Sequence, residues 1–437
     1  MKSKILLLSC ALLILAALPG TAYDFGGKLD NATSPGVSAG NTTLLQEDKL
    51  AVWYETGLLN ETLELTVQTS FTLPYNYSFS AESGDLTPTP FWNLDLLTVQ
   101  AEKLLANGLR RSATLGRFPA ADFSGYLFAD TLDGLEVGWQ QARFNASLAV
   151  GTTALQFQPY TSVKMSLADE ADTFYTEDDP LSDKLAPPRL IALLELEYPE
   201  LIGGRDLLLA MAFQQDLRDP DKLPPTGGRL TTQYLGAGLR GTVAPALYCN
   251  FFTYLGTGSM LASSGVPEYD GIASALAGAS LRWFREDLLF SRVEVKLLFA
   301  SGDKDFAAFL EGNTDDMATA FQPISRPELA LVFSPTLSNL GVLEASYSVK
   351  PADNLQLLFK GLVFMRPTEA PVSDGRVDAA SDALYLGSEA DLVVRWRPYS
   401  DLGLACSAGV FLPGSEAFSS TYHDPEFKGR IEISFSF

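Results

Sequence analysis

The sequence predicts an all-β fold: a transmembrane, antiparallel up-and-down β-barrel of about 18 strands, with 16 as the alternative. Three observations carry this reading. Apolar and polar residues alternate with a period of two through segment after segment of the 437-residue chain. Long and short connections between these segments also alternate. After an N-terminal apolar run, no second run reaches the roughly 20 apolar residues that a spanning helix needs.

The chain opens with a positive patch, Lys2 and Lys4, then the apolar run Ile5 to Leu18, then the small residues Gly20 and Ala22. This is the pattern of a secretory signal peptide cleaved before Tyr23, which leaves residues 23–437 for the barrel. The run is about 14 residues, too short for a spanning anchor. Cys10 leaves with the leader. Cys249 and Cys406 both fall on the apolar face of an expected strand and are read as unpaired thiols facing lipid. No cysteine spacing suits a metal.

Taken in order, Leu63, Leu65 and Val67 oppose Glu64, Thr66 and Gln68. Leu135, Val137 and Trp139 oppose Glu136, Gly138 and Gln140. Leu194, Leu196 and Tyr198 oppose Glu195 and Glu197. Val293, Val295, Leu297 and Phe299 alternate with Arg292, Glu294, Lys296 and Leu298. Leu343, Ala345, Tyr347 and Val349 alternate with Glu344, Ser346, Ser348 and Lys350. Leu392, Val394 and Trp396 alternate with Asp391, Val393, Arg395 and Arg397. The last segment, Phe427 to Phe437, is apolar or Gly at every odd position and polar at every even one. Successive strand side chains point to opposite faces, so each segment has one face for lipid and one for water. A soluble sandwich buries its inner faces in an apolar core and has no use for so consistent a polar face. Trp139, Tyr198, Trp283 and Trp396 near strand ends fit an interfacial aromatic girdle. Phe437, a terminal aromatic after an alternating strand, reads as an assembly signal for the barrel-assembly machinery.

Short turns are expected near 59–60, 106–108, 142–144, 200–204, 243–244, 286–287, 351–352 and 399–401. Longer loops are expected near 32–47, 74–90, 118–132, 156–188, 217–228, 257–270, 302–338, 367–382 and 413–425. Eighteen strands follow, with both chain ends on the short-turn side, provided that Pro327 to Asn339 lies inside a loop. Reading Leu329 to Phe333 as a strand would put the 351–352 turn on the wrong side of the membrane.

Formal charge is −22, which disfavours a nucleic-acid partner, since that needs a basic stripe. The even-odd pattern assigns to the lumen Arg110, Glu136, Arg240, Arg282, Arg292, Glu294, Lys296, Glu344, Lys360, Glu389, Asp391, Arg395, Arg397 and Arg430, with both signs mixed, and Arg117 joins them from a loop that can fold inward. These are the candidate pore-lining residues. Segment 113–133, with Gly116-Arg117-Phe118-Pro119 and Phe123-Ser124-Gly125, can either fold inward to narrow the pore or lie on the surface. Asp169, Glu170, Asp172, Glu177, Asp178, Asp179 and Asp183 form one acidic cluster, and Asp303, Asp305, Asp315 and Asp316 a second. Neither has the EF-hand spacing, and a solvated acidic rim is the better reading than a Ca²⁺ site.

Three segments resemble the alginate-export type of outer-membrane porin. They are Ala300-Ser301-Gly302-Asp303 with the later Phe321-Gln322-Pro323, then Asn339 to Leu355 through Val349-Lys350-Pro351-Ala352-Asp353-Asn354-Leu355, and then Gly387 to Gly414, including Gly387-Ser388-Glu389-Ala390-Asp391-Leu392 and Phe411-Leu412-Pro413-Gly414. Asp133-Gly134-Leu135 matches the earlier Asp-Gly strand start. The resemblance implies an 18-stranded monomeric barrel. An exporter of a polyanion should line its pore with excess positive charge, whereas the signs here nearly balance. The expectation is therefore a passive channel for small hydrophilic solutes, without cofactor, metal or catalytic role. The alternatives are a plugged barrel acting as a surface adhesin and a polysaccharide exporter. A hydrolase built on His423, Ser419, Ser420 and Asp424 lacks any nucleophile or zinc motif.

Overall fold

The computed structural model describes residues 23–38, 41–58, 63–78, 91–106, 108–156, 161–163, 185–218, 229–262, 268–304, 317–378 and 380–437. Residues 1–22, expected as a leader, the acidic run from Asp169 to Asp183, and Asp305, Asp315 and Asp316 lie outside these residues. Eighteen wall strands are present: β1 (Tyr23–Ser38), β2 (Asn41–Leu58), β3 (Leu63–Ser78), β4 (Phe91–Leu104), β5 (Arg110–Ala121), β6 (Ala129–Gln141), β7 (Phe144–Thr152), β8 (Arg189–Ile202), β9 (Arg205–Asp216), β10 (Leu230–Ala244), β11 (Leu247–Ala262), β12 (Glu268–Arg285), β13 (Ser291–Ala300), β14 (Leu340–Ala352), β15 (Leu355–Met365), β16 (Tyr385–Trp396), β17 (Leu402–Pro413) and β18 (Glu426–Ser436). A two-residue segment, Met317–Ala318, pairs in parallel with β12 and is not part of the wall.

Each strand pairs antiparallel with its neighbours in chain order, and β1 pairs with β18, Lys28 opposite Ser436 and Val37 opposite Phe427. The sheet is thereby closed. Phe437 extends the seam, its N–H donating to Gly27 O at 3.0 Å while Gly27 N–H donates to Phe437 O at 2.9 Å. Closure matters because lipid offers no partner for an unpaired strand edge. No helix among the described residues is long and apolar enough to cross a membrane.

The outer face is apolar along the whole circumference. Leu115, Leu135, Met211, Leu235, Phe251, Leu281, Val295, Leu343, Phe359, Leu392 and Ile431 are exposed there. A water-soluble protein would bury such a band; a barrel in lipid presents it. Trp139, Trp283 and Trp396 are exposed close to the short turns. Cys249 stands opposite Leu281 and Cys406 opposite Ile431; both are unpaired, Cys249 covered by its neighbours and Cys406 exposed.

The expected segments agree with the strands, and Leu329–Phe333 is loop. The lengths of three loop-side connections differ. The expected 32–47 loop is a hairpin in which β1 and β2 pair up to Ser38 opposite Asn41. Pro35 and Gly36 read as loop residues, yet the β1–β18 pairing steps from Thr33 opposite Ile431 to Gly36 opposite Lys428. Proline therefore falls where that ladder is interrupted and needs no N–H. Likewise β5 and β6 reach Ala121 and Ala129, and β11 and β12 reach Ala262 and Glu268, so the 118–132 and 257–270 connections are shorter than expected.

Candidate functional site

Strand parity places all but one of the candidate lumen residues on the inner face. Arg282 stands opposite Tyr248, Glu294 opposite Arg282, Glu344 opposite Lys296, and Asp391 opposite Lys360, each pair sharing a side of the sheet. Several form cross-strand pairs: Arg282 donates to Glu294 at 2.9 Å, Lys296 to Glu344 at 3.2 Å, and Arg240 to Glu197. Arg110 lies 2.8 Å from Glu102. Glu136 shares the inner face of β6 with Gly134 and Gly138, and Arg292 lies 3.9 Å from Glu294.

Arg117 is the exception. It stands opposite Leu97 on β4 and Asp133 on β6, with exposed Leu115 two residues away, so it belongs to the outer face. Its guanidinium grips Asp133 through Nε and Nη2, both at 2.7 Å, and donates to Leu94 O and Leu155 O. Arg117 was expected in a loop, where parity has no meaning; the strand continues through it and turns it outward.

Inward-facing positions on β11 to β17, β16 apart, change character along the strand. Toward the short turns they are charged or polar: Arg282, Arg292, Glu294, Lys296, Glu344, Lys360 and Arg395. Toward the loops they become Phe252, Tyr254, Leu276, Leu298, Val342, Leu362, Phe364 and Phe411, all buried. Connections that fold into the barrel cover them and form one hydrophobic core with them.

The first such connection is residues 122–128. Asp122 is its organiser: its carboxylate accepts Ser124 N–H at 2.8 Å, Ser124 Oγ–H at 2.5 Å, Leu127 N–H at 3.0 Å, Phe128 N–H at 2.7 Å and Tyr254 O–H at 2.8 Å. Phe123 stacks on Tyr254 at 5.2 Å and Tyr126 on Phe252 at 5.7 Å, so the loop lies along the inner wall at β11. Lys296 Nζ sits 5.9 Å from the Tyr126 ring. The inward alternative for segment 113–133 is the one observed, for its tip.

The second is residues 319–339. Ile324 N–H and Ser325 N–H donate to Leu127 O at 2.8 and 3.2 Å, joining the two inward segments. Tyr234 O–H donates to Gln322 O. Phe333 is seated among Phe364, Phe411 and Phe418, at ring separations of 5.0, 4.5 and 5.7 Å. Arg376, 5.5 Å from the Phe333 ring, donates to Asp374 and Glu426 and ties the 366–384 connection to the first residue of β18. Burial alone would lower the Arg376 pKa, but hydrogen bonds to Asp374 and the Glu426 charge outweigh it and raise the value. Glu389 and Asp391, expected to line open water, lie beneath this second segment at 3% and 6% exposure. They face inward, but a loop covers them.

The wall from β18 through β4 is different. Its inward residues are mostly polar: Lys428, Arg430 and Glu432 on β18, Lys28 and Asp30 on β1, Glu47 and Lys49 on β2, Gln68, Ser70 and Thr72 on β3, and Asp95 on β4, with Leu45, Ala51 and Trp53 on β2 and Leu96 on β4 as apolar members of the same face. Ion pairs run along it, Lys28–Asp30 at 2.8 Å, Arg430–Glu432 at 2.6 Å and Lys49–Asp95 at 3.9 Å. A polar cavity of about 670 Å³ opens on this wall near the short turns, lined also by Lys350, Asp353, Arg395 and Arg397. A smaller one, about 350 Å³, lies below Phe123 between Arg110, Glu195, Glu197 and Arg240.

Sequence reasoning missed Asp122, Phe333 and the polar wall of β1 and β2. A signal for the inward loops was present: Leu298 interrupts the polar series Arg292, Glu294, Lys296 on the inner face. No group of three metal-ligating side chains comes together among the described residues. His423 Nε2 lies 2.9 Å from Phe418 O.

No family model matches the chain, and no curated protein matches it. Solved structures do. The fold is similar to OccAB2 of Acinetobacter baumannii, with TM-score 0.58 and 11% identity over 95% of this chain and 98% of that one. It is similar to OccK7 (OpdD) of Pseudomonas aeruginosa, with TM-score 0.57 and 11% identity over 95% and 99%. It is also similar to the outer membrane protein OprD of Pseudomonas aeruginosa, with TM-score 0.53 and 10% identity over 97% and 95%. At this identity the likeness is one of fold, and it extends over nearly the whole of each chain.

Proposed function

We propose that the chain is an outer-membrane porin, a passive channel for small hydrophilic solutes. The observation that carries this reading is the charge-rich wall from β18 to β4, which faces two inward-folded loops across the lumen. An open, unnarrowed barrel of 18 strands would need no apolar packing inside it; a fully plugged one would have no reason to keep so many charges along one wall. The path runs between that wall and the loops, and its charges are of both signs. Arg110, Glu136, Arg240, Arg395, Arg397 and Arg430 border its short-turn half. The similarity to the outer membrane protein OprD supports the location, as does the apolar outer face.

Residues 1–22 act as a cleaved leader in this reading, and Phe437 as the signal that the barrel-assembly machinery reads. The closed seam makes each chain a complete barrel, in keeping with a monomer. The alginate-export resemblance of the C-terminal third would make the cargo a polysaccharide; the mixed-sign wall favours small solutes instead.

Liposome swelling is the test. Vesicles carrying the refolded protein should swell in isotonic solutions of small sugars and amino acids, at rates that fall steeply with solute size. Vesicles that stay tight to every solute, with the protein correctly folded, would replace this reading with a plugged barrel used as a surface adhesin.

A further inference from the structure

We propose that Glu389 is a positioning residue for permeation: its carboxylate fixes residues 332–333 of the inward 319–339 segment against β16 and thereby sets the bore of the channel. The proposal rests on the porin reading and adds to it the residue that holds the narrowing in place.

The argument begins with what a buried carboxylate needs. Removing it from water is costly unless hydrogen bonds or a cation replace the lost hydration. Other inward acids on this wall take a cation from a neighbouring strand, Glu294 from Arg282 and Glu344 from Lys296. Glu389 does not. Its Oε1 accepts Val332 N–H at 2.7 Å and its Oε2 accepts Phe333 N–H at 2.8 Å. Both oxygens accept from the loop, and the ionisable neighbour on the wall is the like-charged carboxyl of Asp391, which supplies no cation. An acid that served only the barrel would face a strand partner; this one is oriented by a segment more than 50 residues away in sequence.

The surroundings leave little freedom for another placement. Directly beside the bonded amides, the Phe333 ring lies in the socket of Phe364, Phe411 and Phe418. On β17, a Cβ built at Gly409 would fall 3.0 Å from Val332, 3.1 Å from Leu331 and 2.4 Å from Asp391 Oδ1. The absence of a side chain at Gly409 is therefore what lets residues 331–332 reach the wall. Socket, glycine and carboxylate act on the same three residues, and Glu389 alone among them bonds the backbone.

The test combines amide hydrogen exchange with single-channel recording on the full-length mature protein in detergent and in planar bilayers. Charge-assisted hydrogen bonds of this kind should slow exchange, so Glu389→Ala is expected to exchange roughly ten- to hundredfold faster at Val332 and Phe333. Single-channel conductance should rise and open-channel noise should increase in the same variant. Glu389→Gln, which keeps one acceptor oxygen, should fall between wild type and Glu389→Ala in both measurements. Glu344→Gln is a control for exchange only and should leave residues 332–333 protected. Heat-modifiable gel mobility selects folded barrels, so a purely structural role would appear as fewer folded molecules with unchanged conductance per channel. Unchanged protection in Glu389→Ala overturns the proposal, as does faster exchange with unaltered conductance. A silent wild type counts against the porin reading instead; currents that appear only in Glu389→Ala would then still show that this carboxylate holds the lumen narrow.

Discussion

Arg117 shows how much a single side chain's meaning depends on the backbone beneath it. Read as a loop residue, it is a basic group free to swing toward the pore; as the eighth residue of β5 it is locked on the outer face with Asp133. The pair is nearly sealed from solvent at Arg117, and breaking it strands a carboxylate on the lipid side. Arg117→Ala should therefore cost about 3–5 kcal/mol in urea unfolding from lipid vesicles. The double variant Arg117→Leu/Asp133→Leu should recover most of that loss, because two apolar groups suit the same surroundings. Equal destabilisation in both variants would show that the backbone contacts to Leu94 and Leu155, not the charge pair, carry the cost. Gly27 offers a second test at this scale. A Cβ there would fall 2.3 Å from the Phe437 ring, so the terminal aromatic lies flat over a glycine at the closing seam. Gly27→Val should displace Phe437 and slow assembly into membranes, measured as the rate at which the heat-modifiable form appears.

Among the elements, the strands were legible and the inward loops were not. Strand identity is written locally, since alternation needs only neighbouring residues and the direction of the pleat. The turn and loop parity then fixed 18 strands, and it correctly rejected Leu329–Phe333, whose Ala330 and Val332 mimic an alternating strand. Loop destination depends on contacts far apart in sequence. Asp122 meets Tyr254, and Glu389 meets Phe333, and no local pattern announces either. What the sequence did carry was the change of inward residues from charged to apolar along β11 to β17. Leu298 showed it, but one exception in an alternating strand looks like tolerance rather than a packing surface. The element-scale prediction concerns 122–128. Asp122→Ala removes the acceptor for five donors, two of them buried amides, and should destabilise by about 3 kcal/mol or more. It should also release Phe123 and Tyr126 from the wall and raise the conductance of channels that fold. Asp122→Asn, which cannot accept from all five, should show the same effects at smaller size.

For the molecule as a whole, the balance of charge differs between the lumen and the full chain. The chain carries −22, and acids cluster in sequence between Asp169 and Asp183. The main lumen cavity is bordered by Lys28, Lys49, Lys350, Arg395, Arg397 and Arg430, against Asp30, Glu47, Asp353 and Glu432. Lys350, Arg395 and Arg397 have no ion-pair partner within 4 Å among the described residues, so their fields act on what passes. Charges in a narrow, low-dielectric passage outweigh those on a solvated rim, which salt screens over about 10 Å. The reversal potential under a salt gradient should accordingly favour anions, and Arg395→Gln/Arg397→Gln should move it toward cations. A cation-favouring wild type, unmoved by that change, would give control of selectivity to the acidic rim.

The central claim, a water-filled path narrowed by two loops folded against one half of the wall, is tested most directly by single-channel conductance of the mature protein in a planar bilayer. The account predicts steady open events of small, uniform size, which grow when the 319–339 segment is shortened. A folded barrel that passes no current would contradict it, and so would a wild-type conductance as large as that of the loop-shortened variant.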